Sequence, residues 1–272
     1  MFEAEIVVQD KASKKKESSD VSKSTSDTVL LLKQILEAIS DLVDECEILA
    51  GETGLSMQVM DTMHAAIVEV FISKDVFDRY RCDRPTRMGI KIKDCLKFLR
   101  SLKLDSNYKF RLVAHENGNK LTMGHECTDY DLDFDLVLFD FTKDKFEIPP
   151  QEFQVEVLMP TKSFLIVPRI VGAFEDYISL EAHNKVFSVR QESDRGTTCL
   201  SIKESDTITM KIDDDVKQEI AMKYVNSIAK AANLSETVKV CMGSNSPVFF
   251  DFTLDESGYM RFFIAPRVAP ED

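Results

Sequence analysis

The chain has 272 residues, 44% of them hydrophobic, with 47 acidic and 34 basic residues and a formal net charge of −13. That length buries one large core or two of about 130 residues each, while the charge repels phosphates from the general surface, so any DNA contact needs a local basic patch. No apolar run reaches the ~18 residues of a membrane span, MFEAEIVVQD lacks the pattern of a signal peptide, and cysteines 46, 82, 95, 127, 199 and 241 contain no CxxC pair, which suits reduced thiols inside a cell.

After a first strand, DKASKKKESSDVSKSTSD (10–27) has Val21 as its one large apolar residue and reads as an inserted flexible loop. TVLLLKQILEAISDLVDE (28–45) places Leu32, Ile35, Leu36, Ile39 and Leu42 on one stripe and predicts a helix, with Asp27 or Thr28 as its cap. GLSMQVMD (54–61) and AAIVEVFIS (65–73) alternate as strands with one solvated face. KIKDCLKFLRSLKL (91–104) returns to helical spacing through Leu96, Leu99 and Leu102, and TDYDLDFDL (128–136) reads as a strand with an acidic solvated face. LFDFTKDKFEIPPQEF (138–153), with Pro149 and Pro150, is predicted to be an extended connector.

Strands follow at 153–159, 207–213, 237–243, 248–255 and 260–266. Between them lie a third helical segment, TKSFLIVPRIVGAFED (161–176), which Pro168 should kink or end, and a fourth, MKYVNSIAKAANLS (222–235), striped by Val225, Ile228 and Ala232. The first two helix centres are about 62 residues apart and the last two about 59, with about 130 between corresponding members. This predicts an α+β chain of two similar domains, each with two helices packed on antiparallel sheet: 1–137, a connector over 138–153, and 154–272.

No GxSxG, HExxH, GxxxxGK[ST] or strand-to-helix GxGxxG occurs, and the four histidines stand apart from any nucleophile motif. His125 and Cys127 with Cys82 and Cys95 match no zinc spacing. The chain reads as no enzyme, with no cofactor and no metal. Its basic residues are more orderly. Lys93, Lys97 and Arg100 stand at i, i+4 and i+7, residues 95–104 and 222–235 contain no acid, and Lys223 and Lys230 share a face two turns apart. Lys162 and Arg169 likewise have no acid between them, and Lys33 lies on the first helix. Acid-free helix faces in an acidic chain suit sequence-independent contact with phosphates.

GYMRFFIAPRV (258–268) resembles the ending of the eukaryotic sliding clamp, the proliferating cell nuclear antigen family. So do MFEAEIV, LEAISDLVDE (36–45), MDTMH (60–64), FDRYRCDR (77–84) with Met88-Gly89, and EIPPQEF (147–153), in the same order along the whole chain apart from 10–27. The resemblance implies the DNA-clamp fold, three subunits closing a homotrimeric ring around double-stranded DNA in the nucleus, and a processivity role in replication and repair. By position it implies that Lys33, Lys97, Arg100, Arg169, Lys223 and Lys230 face the duplex. It also implies a pocket for a partner motif in which a 3₁₀ turn presents one aliphatic and two aromatic side chains. That pocket would be built from Met60, His64, Ile67, Phe146, Ile148, Pro247, Phe263, Ala265, Pro266 and Val268. DNA polymerase, the clamp loader, flap nuclease, DNA ligase and other proteins carrying that motif are the implied partners. Ring closure would pair edge strands at about 129–137 and about 196–203, with Phe134 and Val171 at interface positions.

Three basic positions of the family fall at Gln34, Ser40 and Ile166, so the hole is expected to be less basic. Lys11, Lys14, Lys15 and Lys16 of the insertion are expected to offset that loss. Lys185 precedes Val186-Phe187-Ser188 rather than Phe-Ser directly, which puts ubiquitin or SUMO attachment there in question. The alternative reading is a subunit of a heterotrimeric checkpoint-type clamp.

Overall fold

The computed structural model describes residues 1–8, 26–104, 107–115, 119–140, 146–171 and 175–267. Residues 10–25 of the insertion, and Val268, lie outside the described residues. In chain order the first half runs β1 (Phe2–Val8), α1 (Ser26–Ile39), β2 (Glu45–Ala50), β3 (Gly54–Met60), β4 (Ala66–Ser73), β5 (Arg79–Cys82), β6 (Thr86–Lys91), α2 (Ile92–Ser101), β7 (Tyr108–Ala114), β8 (Lys120–Cys127) and β9 (Asp131–Val137). The second runs β10 (Val155–Pro160), α3 (Thr161–Phe164), α4 (Ile166–Ile170), β11 (Tyr177–His183), β12 (Val186–Ser193), β13 (Gly196–Ile202), β14 (Thr209–Ile212), β15 (Val216–Ala221), α5 (Met222–Ala231), β16 (Thr237–Met242), β17 (Val248–Thr253) and β18 (Gly258–Ile264).

The halves repeat each other strand for strand. The order β5-β1-β7-β8-β9 recurs as β14-β10-β16-β17-β18, and β4-β3-β2-β6 recurs as β13-β12-β11-β15. Registers repeat as well: buried Cys46 faces buried Ile90 between β2 and β6, and buried Ile178 faces buried Ile220 between β11 and β15. The Ile92 amide opens α2 on the Asp44 carbonyl at 3.0 Å, and the Met222 amide opens α5 on the Asp176 carbonyl at 2.7 Å. The duplication read from helix spacing is therefore a duplication of topology, with α3 and α4 together standing in for α1. Two compact units result: Met1–Ser40, Asp44–Met57 and Phe71–Asp144 form one, and Asp41–Val43, Gln58–Val70 and Lys145–Asp272 the other.

Burial follows the periods. β7 alternates buried and half-buried residues throughout, as a strand with one face on the core should, and α2 buries Ile92, Cys95, Leu96, Phe98 and Leu99 along one stripe. Phe2 and Phe110 in the first unit, and Phe250, Phe252 and Phe262 in the second, are fully buried anchors.

All four helical segments are shorter than predicted: α2 ends at Ser101 and α5 at Ala231, and the first and third depart most. The first ends at Ile39, because the Ser40 hydroxyl donates to the Glu37 carbonyl at 2.8 Å and Glu45 is already paired with Lys91 as a strand; side-chain bonding to backbone competes with helix continuation. Leu42 is buried nonetheless. Thr28 lies inside α1 and donates to the Val76 carbonyl at 3.2 Å, so it is not the cap. The third segment breaks at Leu165, between α3 and α4. Pro168 causes this: its ring collides with the carbonyl four residues back, that of Phe164, and it offers no N–H to it.

Both ends of the connector are held by close backbone approach over a glycine. In the first unit a Cβ on Gly89 would meet the Phe139 carbonyl oxygen at 2.2 Å, and the Phe139 amide bonds the Gly89 carbonyl at 3.2 Å. In the second unit a Cβ on Gly243 would meet the Glu152 carbonyl oxygen at 2.5 Å.

Candidate functional site

The expected partner-pocket residues that are described fall in the second unit, on four pieces of chain. Gln58 of β3 clasps the connector: its Nε2 donates to the Phe146 carbonyl at 2.9 Å, and its Oε1 accepts the Phe146 amide at 2.7 Å. The Phe146 side chain is left 39% exposed, with Ile148 half-buried beside it in sequence. The Ala265 amide donates to the Ala65 carbonyl at 2.8 Å, joining the end of β18 to the β3–β4 turn that carries His64. Phe263 stands 4.8 Å from Phe249, ring to ring, and Phe249 stacks at 5.7 Å on Phe153. Pro247 precedes Val248, whose register partner is Ile264. Met60, Ile67, Ile148, Pro247, Phe263 and Pro266 are half-buried, and His64 and Ala265 are exposed. The result is a shelf of partly covered apolar side chains on β3, β4 and β18 and on the connector and turns beside them, which suits capture of a few aromatic anchors.

Three polar residues that sequence reasoning passed over hold this shelf. Gln58 is one. Gln218 is the second: buried, it donates to the Gly243 and Ser246 carbonyls at 2.9 and 2.7 Å and so shapes the turn before Pro247. Asp61, only 3% exposed, is the third. Its Oδ1 accepts the Ala65 and Ala66 amides at 2.8 and 2.9 Å, and its Oδ2 accepts the Tyr224 hydroxyl at 2.7 Å and the Lys223 ammonium at 3.4 Å. With the His64 amide on the Asp61 carbonyl at 3.0 Å, these bonds keep His64 in the left-handed region at φ 58°.

Burial works to raise the Asp61 carboxyl, but the Tyr224 hydroxyl, the two amides and the Lys223 ammonium outweigh it and hold it below the ordinary 3.8. A carboxyl depressed in the folded state adds stability above its unfolded value and loses it as pH falls through the folded one. Asp61→Ala is therefore expected to cost roughly 3 kcal/mol in urea unfolding at neutral pH, since buried donors are left unpaired. The difference from the parent should begin to shrink below about pH 4, where the unfolded chain takes up the proton first, and should close as pH falls through the lower value of the folded carboxyl.

The basic residues divide into two groups. Lys33, Lys97 and Arg169 make no ion pair among the described residues. The others are engaged. Arg100 Nη2 lies 2.9 Å from Glu37 Oε1, Lys93 Nζ 2.5 Å from Asp44, Lys230 Nζ 2.5 Å from Asp41 and Lys223 Nζ 3.4 Å from Asp61. Residues 95–104 and 222–235 are acid-free as read, yet the faces they belong to are not, because Glu37 of α1 and Asp41 and Asp44 of the turn after it supply acids. That is a correction to the expectation of acid-free faces. Of the three substituted positions, Ile166 is 37% exposed, Gln34 is half-buried, and the Ser40 hydroxyl is turned to the Glu37 carbonyl.

At the expected interface, Phe134 of β9 is half-buried and stacks on Phe98 at 5.5 Å. Leu132 and Val137 of the same strand are exposed, Val137 to 60%. Among the described residues β9 has β8 as its single sheet neighbour, and β13 has only β12. Val171, in contrast, is fully buried. It repeats Ile39 of the first copy, also fully buried, so it is a core residue of its own unit; the exposed side chains nearby are Ile166 and Ile170 of α4. Lys185 is exposed at φ 62° in the tight β11–β12 turn.

No group of three or more metal-ligating side chains gathers among the described residues. His125 is buried between the rings of Tyr108 at 5.2 Å and Tyr130 at 5.7 Å, with Nε2 3.2 Å from the Lys103 carbonyl, and burial holds its pKa down. It is a core histidine.

The family model described as proliferating cell nuclear antigen, N-terminal domain, matches residues 24–145, and the model for the C-terminal domain of the same antigen matches 147–267. A proliferating cell nuclear antigen of Caenorhabditis elegans is 27% identical over 250 residues, covering 89% of this chain and 95% of its own length. That of Chaetomium thermophilum is 25% identical over 249 residues, covering 89% and 96%. A proliferating cell nuclear antigen 2 of Drosophila melanogaster is 24% identical over 245 residues, with the same coverage of 89% and 96%.

Proposed function

The chain belongs to the proliferating cell nuclear antigen family of DNA sliding clamps, and from that premise we propose that three copies of it close a homotrimeric ring in the nucleus with the basic helix residues facing duplex DNA. As a member of that family it is a processivity factor for replication and repair, a scaffold without catalytic activity, and no described helix is long and apolar enough to cross a membrane. In the proposed ring, 1–137 and 154–272 are the two clamp domains and 138–153 the connector.

One observation carries the ring. β18 is bordered on its outer side by β4, but its topological counterpart β9 has no such neighbour among the described residues, and neither does β13, the counterpart of β4. An unpaired strand edge is a liability unless something covers it. The duplication supplies the pattern: β9 of one copy pairs with β13 of the next as β18 pairs with β4, and a head-to-tail contact that closes by rotation is a ring. Phe134 and exposed Val137 lie along that edge.

Lys33, Lys97, Arg100, Arg169, Lys223 and Lys230 then act as sequence-blind phosphate partners. Long ammonium and guanidinium arms remake such contacts at each step, so the ring slides. The shelf of Met60, His64, Ile67, Phe146, Ile148, Pro247, Phe263, Ala265 and Pro266 receives the 3₁₀ partner motif of polymerase, clamp loader, flap nuclease and ligase. Three shelves per ring raise the effective concentration of several partners at once.

Sedimentation equilibrium tests the assembly. A mass near three times 30.9 kDa is expected. A persistent 30.9 kDa species would contradict self-closure and favour a heteromeric clamp subunit.

A further inference from the structure

We infer that Glu37, Asp41 and Asp44 are internal counterions: the first two hold Arg100 and Lys230 beside the duplex, Asp44 holds Lys93 on the same face of α2 as Arg100, and together they set how weakly the ring grips DNA. The inference rests on the reading above that these helix faces line the DNA hole.

The geometry is direct. Arg100 and Lys230 occupy matching positions eight residues into α2 and α5, and each carries a carboxylate at its head: Glu37 at 2.9 Å on Arg100 and Asp41 at 2.5 Å on Lys230. Lys93, one residue into α2, has Asp44 at 2.5 Å. All three pairs are solvent-facing, with the basic side chains 56%, 46% and 75% exposed. Pairs of this kind add little to folding stability. Their consequence lies with DNA. A cation with no ion pair among the described residues, such as Lys97, releases one condensed counterion from the duplex when it meets a phosphate, and that release drives binding. A cation that leaves a carboxylate for a phosphate releases the same ion but exposes a bare carboxylate, which gathers a cation from solution. Net release is then close to zero, and the contact adds neither much affinity nor much salt dependence. Exchange between carboxylate and phosphate also lets an arm let go of one phosphate without being stranded before the next.

The acids therefore lower the effective basicity of the hole below what counting lysines and arginines suggests. They come from the end of α1 and the turn after it, so the basic sequences of α2 and α5 give no hint of them.

The test compares two triple variants that change net charge equally. Glu37→Gln, Asp41→Asn and Asp44→Asn together free the three cations. Asp194→Asn, Asp206→Asn and Asp214→Asn remove three exposed acids on strand-connecting turns that carry no ion pair among the described residues. Each ring is loaded on nicked circular duplex, and its residence time is followed between about 50 and 200 mM salt. The first variant is expected to stay at least tenfold longer at the low end, with the logarithmic salt slope steeper by about 0.9 for each freed cation that reaches a phosphate, and with the gain vanishing at high salt. Equal behaviour of the two variants overturns the inference. A third variant, Lys33→Gln with Lys97→Gln and Arg169→Gln, separates the causes of failure. If it shortens residence while the acid variant changes nothing, the helices face DNA and the counterion idea alone is wrong. If neither alters residence, the DNA-facing assignment has failed and the inference with it.

Discussion

Replacing Ile148 and Phe263 together by serine is expected to abolish capture of a peptide carrying the 3₁₀ partner motif while leaving the ring assembled. Phe263 is braced by Phe249 at 4.8 Å and sits on β18, which is flanked by β17 and β4, while Ile148 lies two residues past the Gln58–Phe146 clasp. Both present partly covered apolar surface on backbone that is already held, Phe263 in the β17–β18 ladder and Ile148 beside the clasp, so less ordering entropy opposes binding there. Truncating a residue that anchors a buried aromatic group typically costs 2 kcal/mol or more, so two such losses should weaken the peptide by at least about a hundredfold. Fluorescence anisotropy of a labelled peptide measures it. Gln58→Ala gives an informative partial effect: it removes the two hydrogen bonds that pin the connector and a third, from Nε2 to Glu69 Oε1 at 2.9 Å, but none of the proposed anchor-binding side chains, so a smaller loss of about tenfold is expected from the looser Phe146.

Proline at position 135 is expected to take the ring apart. The Leu138 amide donates to Asn119 on the β8 side and the Tyr130 carbonyl accepts from Cys127, also on that side. By the pleat of an antiparallel strand, the odd-numbered residues of β9 then aim their backbone groups away from β8. Asp135→Pro removes a central donor from the edge offered to the next subunit without removing one from the β8 ladder, and proline is tolerated on edge strands. Its side chain also gives up Thr122 at 2.7 Å and Lys120 at 3.4 Å, both exposed surface contacts. The variant should keep its circular dichroism and sediment as a 30.9 kDa monomer at micromolar concentration. A trimer of unchanged stability would mean that β9 is not the closing edge.

The architecture was legible because it was written twice. Helical stripes recurring about 130 residues apart predicted a repeated unit, and the repetition extends to registers such as Cys46–Ile90 and Ile178–Ile220. Strands such as β7, with strict alternation, declare themselves by period. Element ends were harder. α1 stops at Ile39 because of a serine side chain and a partner strand contributed by residues 86–91, and neither lies in the helical pattern itself. Pro168 did announce the break in the third segment, since its clash acts on a fixed residue four positions earlier.

At the site, apolar residues were readable from their resemblance to the family, whereas the polar residues that position them were not. Gln58, Asp61 and Gln218 act on backbone groups 88, 4 to 5 and 25 to 28 residues away in the chain, and no local period marks them. The ion pairs on the basic faces were hidden for the same reason: Glu37 and Arg100 are 63 residues apart. Val171 shows the opposite error, where a position matched by resemblance to an interface is fully buried in its own unit. The repeat could have warned of it, because its counterpart Ile39 stands on the buried stripe of α1.

The central claim is topological: the ring holds DNA by enclosing it. The most direct test loads the labelled protein onto nicked circular duplex with its clamp loader and then cuts the circle once with a restriction enzyme. Rings that only encircle the duplex run off the new ends, so the account predicts stable association before the cut and rapid loss after it. Loss is prevented when both ends are blocked by bound protein. Retention that ignores the cut would contradict it, and would mean that the chain binds DNA by surface contact and not by enclosure.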